Sequence, residues 1–168
     1  VMVTAEEGAL QFDFSDYEGP DLQADLGRRD FSINAMAIDV RDLLAADFFS
    51  RLVDPFNGRS DLEHRLIRMV APAVLDRDPL RLLRAVRFAA TLGFTIEENT
   101  QQEIRRRSSL VLQPAPERVR DELFLILGER NAERHLLQLE ALGLLAVLFP
   151  ELDPLRGFAP GRYHVHDV

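Results

Sequence analysis

From Asp78 to Gly93 the chain carries a start signal, a stop signal and one apolar stripe between them, and this segment constrains the fold more than any other. Asp78 suits a helix N-cap, Pro79 the first helical position, where its missing N–H is no loss, and Gly93 the residue just past the end. Leu80, Leu83, Val86 and Ala90 recur at spacings of three and four, which puts them on one side of a helix running to Leu92. Asp78, Arg81, Arg84 and Arg87 follow one another by threes, so each steps about 60° around the axis from the last. They form a polar edge beside the stripe. An N-cap and a solvated helix face would account for all four. So would a binding edge in which Asp accepts from the amino groups of a nucleobase while Arg donates to ring acceptors and to phosphate.

The rest of the chain divides around residue 60. Before it, residues 1–14 read as a β-hairpin: Val1 to Thr4, a turn at Glu6-Glu7-Gly8, then Leu10 to Phe14 with Leu10, Phe12 and Phe14 on one face. A loop with Gly19-Pro20 leads to a short helix that Asp21 can cap. Residues 36–40 and 52–54 read as further strands, the second ended by Pro55 and Gly58. After residue 60 the period is helical, with stretches near 99–107, 117–127 and 131–142, the last ending at Gly143 before Pro150 and Pro154. Strands followed by helices imply an α+β chain in two units, residues 1–60 and 61–155. Residues 156–168 are expected to begin a following, flexible region.

Bulk properties narrow the function. A chain of 168 residues, 46% hydrophobic, can bury an ordinary core. It has no apolar run near the 18 residues of a membrane span and no secretory start, so the expected compartment is cytoplasmic. With no cysteine, disulfides and thiolate metal sites are excluded. A net charge of −8 argues against a surface that attracts polyanions as a whole, so contact with nucleic acid must be local. The positive charge is carried by Arg, whose rigid fork grips phosphate and base edges bidentately.

Two more clusters carry chemistry. Arg28-Arg29-Asp30-Phe31-Ser32-Ile33-Asn34-Ala35-Met36-Ala37 joins two guanidiniums to a carboxylate and a carboxamide, with Phe31, Ile33 and Met36 as anchors. Such a group can hold a triphosphate and a ribose, although on composition alone an Arg–Asp ion pair capping a strand is the simpler reading. Glu117-Arg118-Val119-Arg120-Asp121-Glu122 opens a helix, where acids in the first turn and i,i+4 pairs need no function at all.

In order and wording these segments resemble the class II tRNA nucleotidyltransferase (CCA-adding enzyme) and bacterial poly(A) polymerase family. The resemblance runs from about Leu10 to Leu127, through DLQADLGRRDFSINAMAIDV, LVDPFNGRSDLEHRLIRMV, DPLRLLRAVRFAATLGF and ERVRDEL. It implies the end of a nucleotidyltransferase head, built on a mixed β-sheet, followed by an all-helical neck that selects nucleotide and binds RNA. The activity implied is template-independent addition of CMP and AMP from CTP and ATP to a tRNA 3′ end, or of AMP to RNA, with Mg2+ in the complete enzyme.

Residue by residue, the resemblance places Arg29, Asp30 and Asn34 near ribose and triphosphate, and Asp78 and Arg81 against the incoming base. Arg84 and Arg87 fall toward phosphate or behind the base-reading edge, and Glu117, Arg118 and Glu122 support the neck. Asp13 matches a third acidic residue near the metals, or a polar residue on the solvated face of the hairpin. Two departures stand out. Arg77 occupies the position where the family carries an acid, which leaves open whether both CTP and ATP are used, only A, or only CC. The family's Gly-Gly loop and Asp-x-Asp strand have no counterpart, so no metal ligands are assigned, and the chain reads as a piece of a longer enzyme that is inactive alone. A catalytically silent RNA- or nucleotide-binding module on the same scaffold is the alternative. His164, His166 and Asp167 resemble the start of a metal-phosphohydrolase site, but with no second half they read as solvated residues. Oligomeric state is not legible.

Overall fold

In the computed structural model of the chain, residues 2–5, 8–11 and 16–155 are described. β1 (Met2–Ala5) and β2 (Gly8–Gln11) pair antiparallel, with Met2 opposite Gln11 and Ala5 opposite Gly8. The expected hairpin is there, while its flanking residues Val1, Phe12, Asp13 and Phe14, like His164, His166 and Asp167, lie outside the described residues. Asp21 caps α1 (Leu22–Leu26) as its sequence position suggests, accepting from the Ala24 N–H at 2.8 Å.

The two strands expected at 36–40 and 52–54 shrink to one antiparallel bridge. Ala37 and Val53 exchange both backbone hydrogen bonds, at 3.0 and 2.8 Å, and the ladder stops there. Asp39 accepts the Arg41 N–H at 2.9 Å and curls the chain into a 3-10 turn at Val40–Asp42, and Pro55 has no N–H to extend the other side.

α2 (Gly58–Glu63) packs against the 3-10 turn Ser32–Asn34 so closely that a Cβ on Gly58 would run into the Ser32 carbonyl oxygen. Asp54 sets this approach by accepting the N–H groups of Gly58, at 2.6 Å, and Arg59, at 2.9 Å. Beyond residue 60 the chain is not purely helical. β3 (Leu66–Ile67) lies parallel to β4 (Thr95–Ile96), with α3 (Ala73–Arg77) and α4 (Arg81–Leu92) crossing between them. Two-residue strands are too short for their alternation to be read in a sequence.

α4 starts two residues later than its capping signals suggest. The ring of Pro79 disfavours a helical conformation at the residue before it, so α3 stops at Arg77 and Asp78 is extended, with φ −140° and ψ 94°. Asp78 thus closes one helix and opens the next, its Oδ1 accepting from the Leu80 N–H at 3.3 Å. The first turn of α4 is of 3-10 type, with the Arg81 and Leu82 N–H groups donating to the Asp78 and Pro79 carbonyls at 3.0 and 3.1 Å. Gly93 ends α4 with φ 67°, as expected of a left-handed cap.

α5 (Glu98–Arg106), α6 (Pro116–Leu127), α7 (Ala132–Ala141) and α8 (Leu144–Leu148) complete the helical part. Leu82, Leu83, Ala85, Val86 and Ala89 are buried, a wider face than the stripe of Leu80, Leu83, Val86 and Ala90, because α4 is covered by α6 and α7 as well as by β3 and β4. Ile104, Ile126, Leu139 and Leu144 close the same core from the other helices. Each such side chain contributes about 1.5–3 kcal/mol by leaving water. The architecture is α+β: short strands and turns before residue 60 joined to a mainly helical part.

Candidate functional site

The segment after α1 is pinned beside α4 by a single bridge. Phe31 bridges Met69 in antiparallel fashion, with Ser32 N–H donating to the Arg68 carbonyl at 2.9 Å and Val70 N–H to the Asp30 carbonyl at 3.1 Å. Phe31 is fully buried and meets Phe88 of α4 edge-on, ring centroids 5.7 Å apart. This anchor delivers Asp30 to the polar edge of α4.

Asp30 is only 6% exposed and fully engaged. Its Oδ1 accepts from the Phe31 N–H at 2.9 Å and the Asn34 amide at 3.0 Å, and its Oδ2 accepts from Arg84 Nε and Nη2 at 2.9 and 2.7 Å. Burial pushes this carboxyl up, but the Asn34 hydrogen bond and the Arg84 guanidinium outweigh it and hold the group below the ordinary aspartate range. Arg29, half exposed, is aimed by the buried Asp25, which it meets at 2.8 Å. The Arg29 hydrogen bond, with one from the Glu18 N–H, lowers Asp25 in turn.

α6 braces α4 from the far side. The buried Glu122 accepts from Arg87 Nε at 2.6 Å and stands 3.8 Å from Arg84, while Arg118 Nη2 donates to Asp78 Oδ2 at 3.0 Å. Arg84 and Arg87 also lie over the Phe88 ring, at 5.2 and 4.2 Å. Glu117, by contrast, is exposed and bonds to nothing among the described residues.

What remains open between these groups is a cavity of about 430 Å3. Arg29, Asp30 and Asn34 line it from the head, Asp78, Arg81, Arg84 and Phe88 from the helical side, and Arg118 from α6. Three segments up to ninety residues apart in sequence meet there. Arg81 is the least committed of the cations: its Nη1 donates to the Val74 carbonyl at 3.2 Å, and no carboxylate lies within ion-pair distance among the described residues. Burial draws its guanidinium below the usual value, with Arg84 and Arg77 adding repulsion and Asp30 and Asp78 opposing. Arg77 is exposed at the end of α3. The acid beside it, Asp76, pairs with Arg107 at 2.8 Å.

Residues 4–68 match the family described as "Poly A polymerase head domain", and residues 93–156 match "Probable RNA and SrmB- binding site of polymerase A". The chain is 43% identical, over 96% of its length, to the A-adding tRNA nucleotidyltransferase of Deinococcus radiodurans, of which it covers 36%. It is 44% identical, over 85% of its length, to the multifunctional CCA protein of Thioalkalivibrio sulfidiphilus, covering 34% of that protein. Among solved structures, the Thermotoga maritima CCA-adding enzyme complexed with tRNA superposes on 77% of the chain with a TM-score of 0.68 at 35% identity, over 31% of its own length.

The chain belongs to the class II tRNA nucleotidyltransferase family. It spans about a third of the length of the curated relatives it matches.

The Mg2+ that this family membership implies finds no place among the described residues of this tRNA nucleotidyltransferase chain. No three His, Asp or Glu side chains converge there, and the two carboxylates of the cavity, Asp30 and Asp78, are each already held by a guanidinium. No step is therefore assigned to a metal on these residues. Asp13 lies outside the described residues.

Reasoning from the nucleotidyltransferase motifs missed the residues that aim the motif residues. Asp25 holds Arg29, and Asp61, 4% exposed, accepts from Ser32 Oγ at 2.6 Å and Arg68 Nε at 3.0 Å, tying the Asp30 strand to α2. The signal available was the four-residue spacing of Asp25, on the helix capped by Asp21, and Arg29, just past its end. Among the described residues no helix is long and apolar enough to cross a membrane.

Proposed function

We propose that this chain is the nucleotide-selecting part of a template-independent RNA nucleotidyltransferase that adds CMP and AMP, from CTP and ATP, to tRNA 3′ ends. The observation that carries the reading is the cavity in which Asp78 and Arg81 stand opposite Arg29, Asp30 and Asn34. Asp78 and Arg81 together offer a base what a complementary base would offer: a carboxylate that accepts from an exocyclic amino group, and a guanidinium with donors left over for ring acceptors. Arg29, half exposed at the rim, is free to turn one face to triphosphate. Arg84 and Arg87, tied to Asp30 and Glu122, hold the edge rigid instead of touching nucleotide.

The division into a head part, residues 1–60, and a nucleotide-selecting and RNA-binding neck, residues 61–155, belongs to the same reading, with the Asp30–Arg84 pair as the joint between them. The named relatives include an A-adding enzyme and a multifunctional CCA protein; we place the base choice on residues near Arg81, where Arg84 and Arg77 both add like charge.

The test is incorporation of labelled CTP and ATP into tRNA lacking its 3′ end by the intact protein. Arg81→Ala and Asp78→Ala are expected to lower kcat/KM at least a hundredfold for both nucleotides, the scale on which loss of a paired polar group is felt. Undiminished incorporation by both variants would remove the reading. The 168-residue chain alone is expected to incorporate neither nucleotide, because it contains no Gly-Gly loop followed by an Asp-x-Asp strand.

A further inference from the structure

In a chain of net charge −8, most described arginines stand against a carboxylate. Those that do not are therefore informative. Arg81 lines the nucleotide cavity, and Arg77 ends the helix before it. Arg130 and Arg134 form a second pair, and neither guanidinium makes a hydrogen bond or an ion pair among the described residues. Both line a cleft of about 660 Å3 between the end of α4 and the turn from α6 into α7.

The cleft is built from opposite walls. On one side Gly93, left-handed at the end of α4, leaves open space where a Cβ would stand. On the other, the buried His135 ring lies 3.1 Å from the Arg130 carbonyl and fixes the turn that carries Arg130. The acid of the cleft, Glu129, accepts from the Thr91 hydroxyl at 3.0 Å and forms no ion pair with either arginine among the described residues. The cleft thus brings together two guanidiniums with no side-chain partner among the described residues.

We infer that Arg130 and Arg134 form a phosphate-binding subsite for the RNA strand whose 3′ end enters the Asp78–Arg81 cavity. The inference rests on the proposed function and adds a second point of contact to it. α4 separates the two sites: its twelve residues span about 18 Å, a few nucleotides of strand. Arginines without base-reading partners suit the backbone of a nucleic acid, which positions without specifying sequence. Arg130, Arg134 and Gly93 all fall within residues 93–156, the stretch that matches the RNA-binding family description.

The experiment measures the affinity of the intact protein for tRNA against salt concentration, for the wild type, Arg130→Ala/Arg134→Ala and Arg130→Lys/Arg134→Lys. The alanine variant is expected to bind about tenfold more weakly near 0.1 M salt, and its slope of log K against log[salt] to be shallower by about 2, one per phosphate contact. The lysine variant, which keeps both charges, is expected to keep the slope. The rise in Tm caused by CTP checks folding and nucleotide binding in each variant, and Arg130→Gln and Arg134→Gln singly repeat the reading should the double variant lose it. Unchanged affinity, or weaker binding with an unchanged slope, would overturn the inference while leaving the nucleotide site intact. A wild-type protein whose Tm ignores CTP and ATP would instead count against the proposed function.

Discussion

Arg118 of α6 donates to Asp78 Oδ2 at 3.0 Å, a contact between residues forty apart in sequence that reaches the junction of α3 and α4. The other oxygen of Asp78 accepts from the Leu80 N–H. The carboxylate is thereby fixed in rotation, yet each oxygen keeps a lone pair for a further donor. A side chain that must recognise an amino group without a template gains from being held before the base arrives, since less ordering remains to be done on binding.

Arg118→Ala is therefore expected to raise KM for CTP and ATP about fivefold, near 1 kcal/mol, a modest figure because the pair is half exposed. Arg118→Lys should recover part of the loss, as ammonium can replace one hydrogen bond. Steady-state kinetics on the intact protein decide this, and a KM equal to wild type for Arg118→Ala would show that Asp78 needs no such support.

Asp30 ties the segment after α1 to α4, and its depressed pKa gives a pH signature. A carboxyl held lower in the folded state than in the unfolded chain stabilises fully above the unfolded value of about 3.9 and loses that contribution as pH falls through the folded value. Asp30→Asn should cost about 3 kcal/mol at neutral pH, since Arg84 keeps only the longer Glu122 contact, and the difference from wild type should shrink below pH 4. Urea unfolding at pH 7 and pH 3.5 measures both. A difference independent of pH would assign the loss to packing instead.

Gly58 is required by distance, not by conformation. Gly58→Ala brings a methyl group into the Ser32 carbonyl, where backbone cannot yield, and is expected to lower stability by about 2–3 kcal/mol. Thermal unfolding checks it, and a Tm within a degree of wild type would mean that α2 can shift away without loss.

Much of this was legible in the chain. Three of the helices after Gly93 declared themselves, and α8 did not; Asp21 and Gly93 were legible by residue type alone. The grouping of Arg29, Asp30 and Asn34 with Asp78 and Arg81 followed from the family resemblance, not from spacing. What was not legible depends on contacts distant in sequence. A solvated edge and a bound one look alike in a sequence, so nothing local told that Arg84 would be spent on Asp30 and Arg87 on Glu122. The parallel pair β3 and β4 has only four residues, and the strands expected at 36–40 and 52–54 held one bridge because side-chain turns at Asp39 compete with the ladder. Asp78 keeps the extended backbone and the side-chain bond to the Leu80 N–H that its position suggests, while the 3-10 first turn moves the regular helix on to Arg81. Arg77 finds no described partner that would make up for the acid it replaces, and the neighbouring Asp76 is engaged with Arg107 instead.

The central claim is that Arg81, held in the cavity without a carboxylate partner, reads the incoming base. Calorimetric titration of the intact protein with CTP and ATP, wild type against Arg81→Ala, tests it most directly. The account predicts saturable binding by the wild type and at least a tenfold loss in the variant, with the melting temperature in the absence of nucleotide changed little because the one bond lost is to the Val74 carbonyl. Equal affinities for both proteins would contradict it.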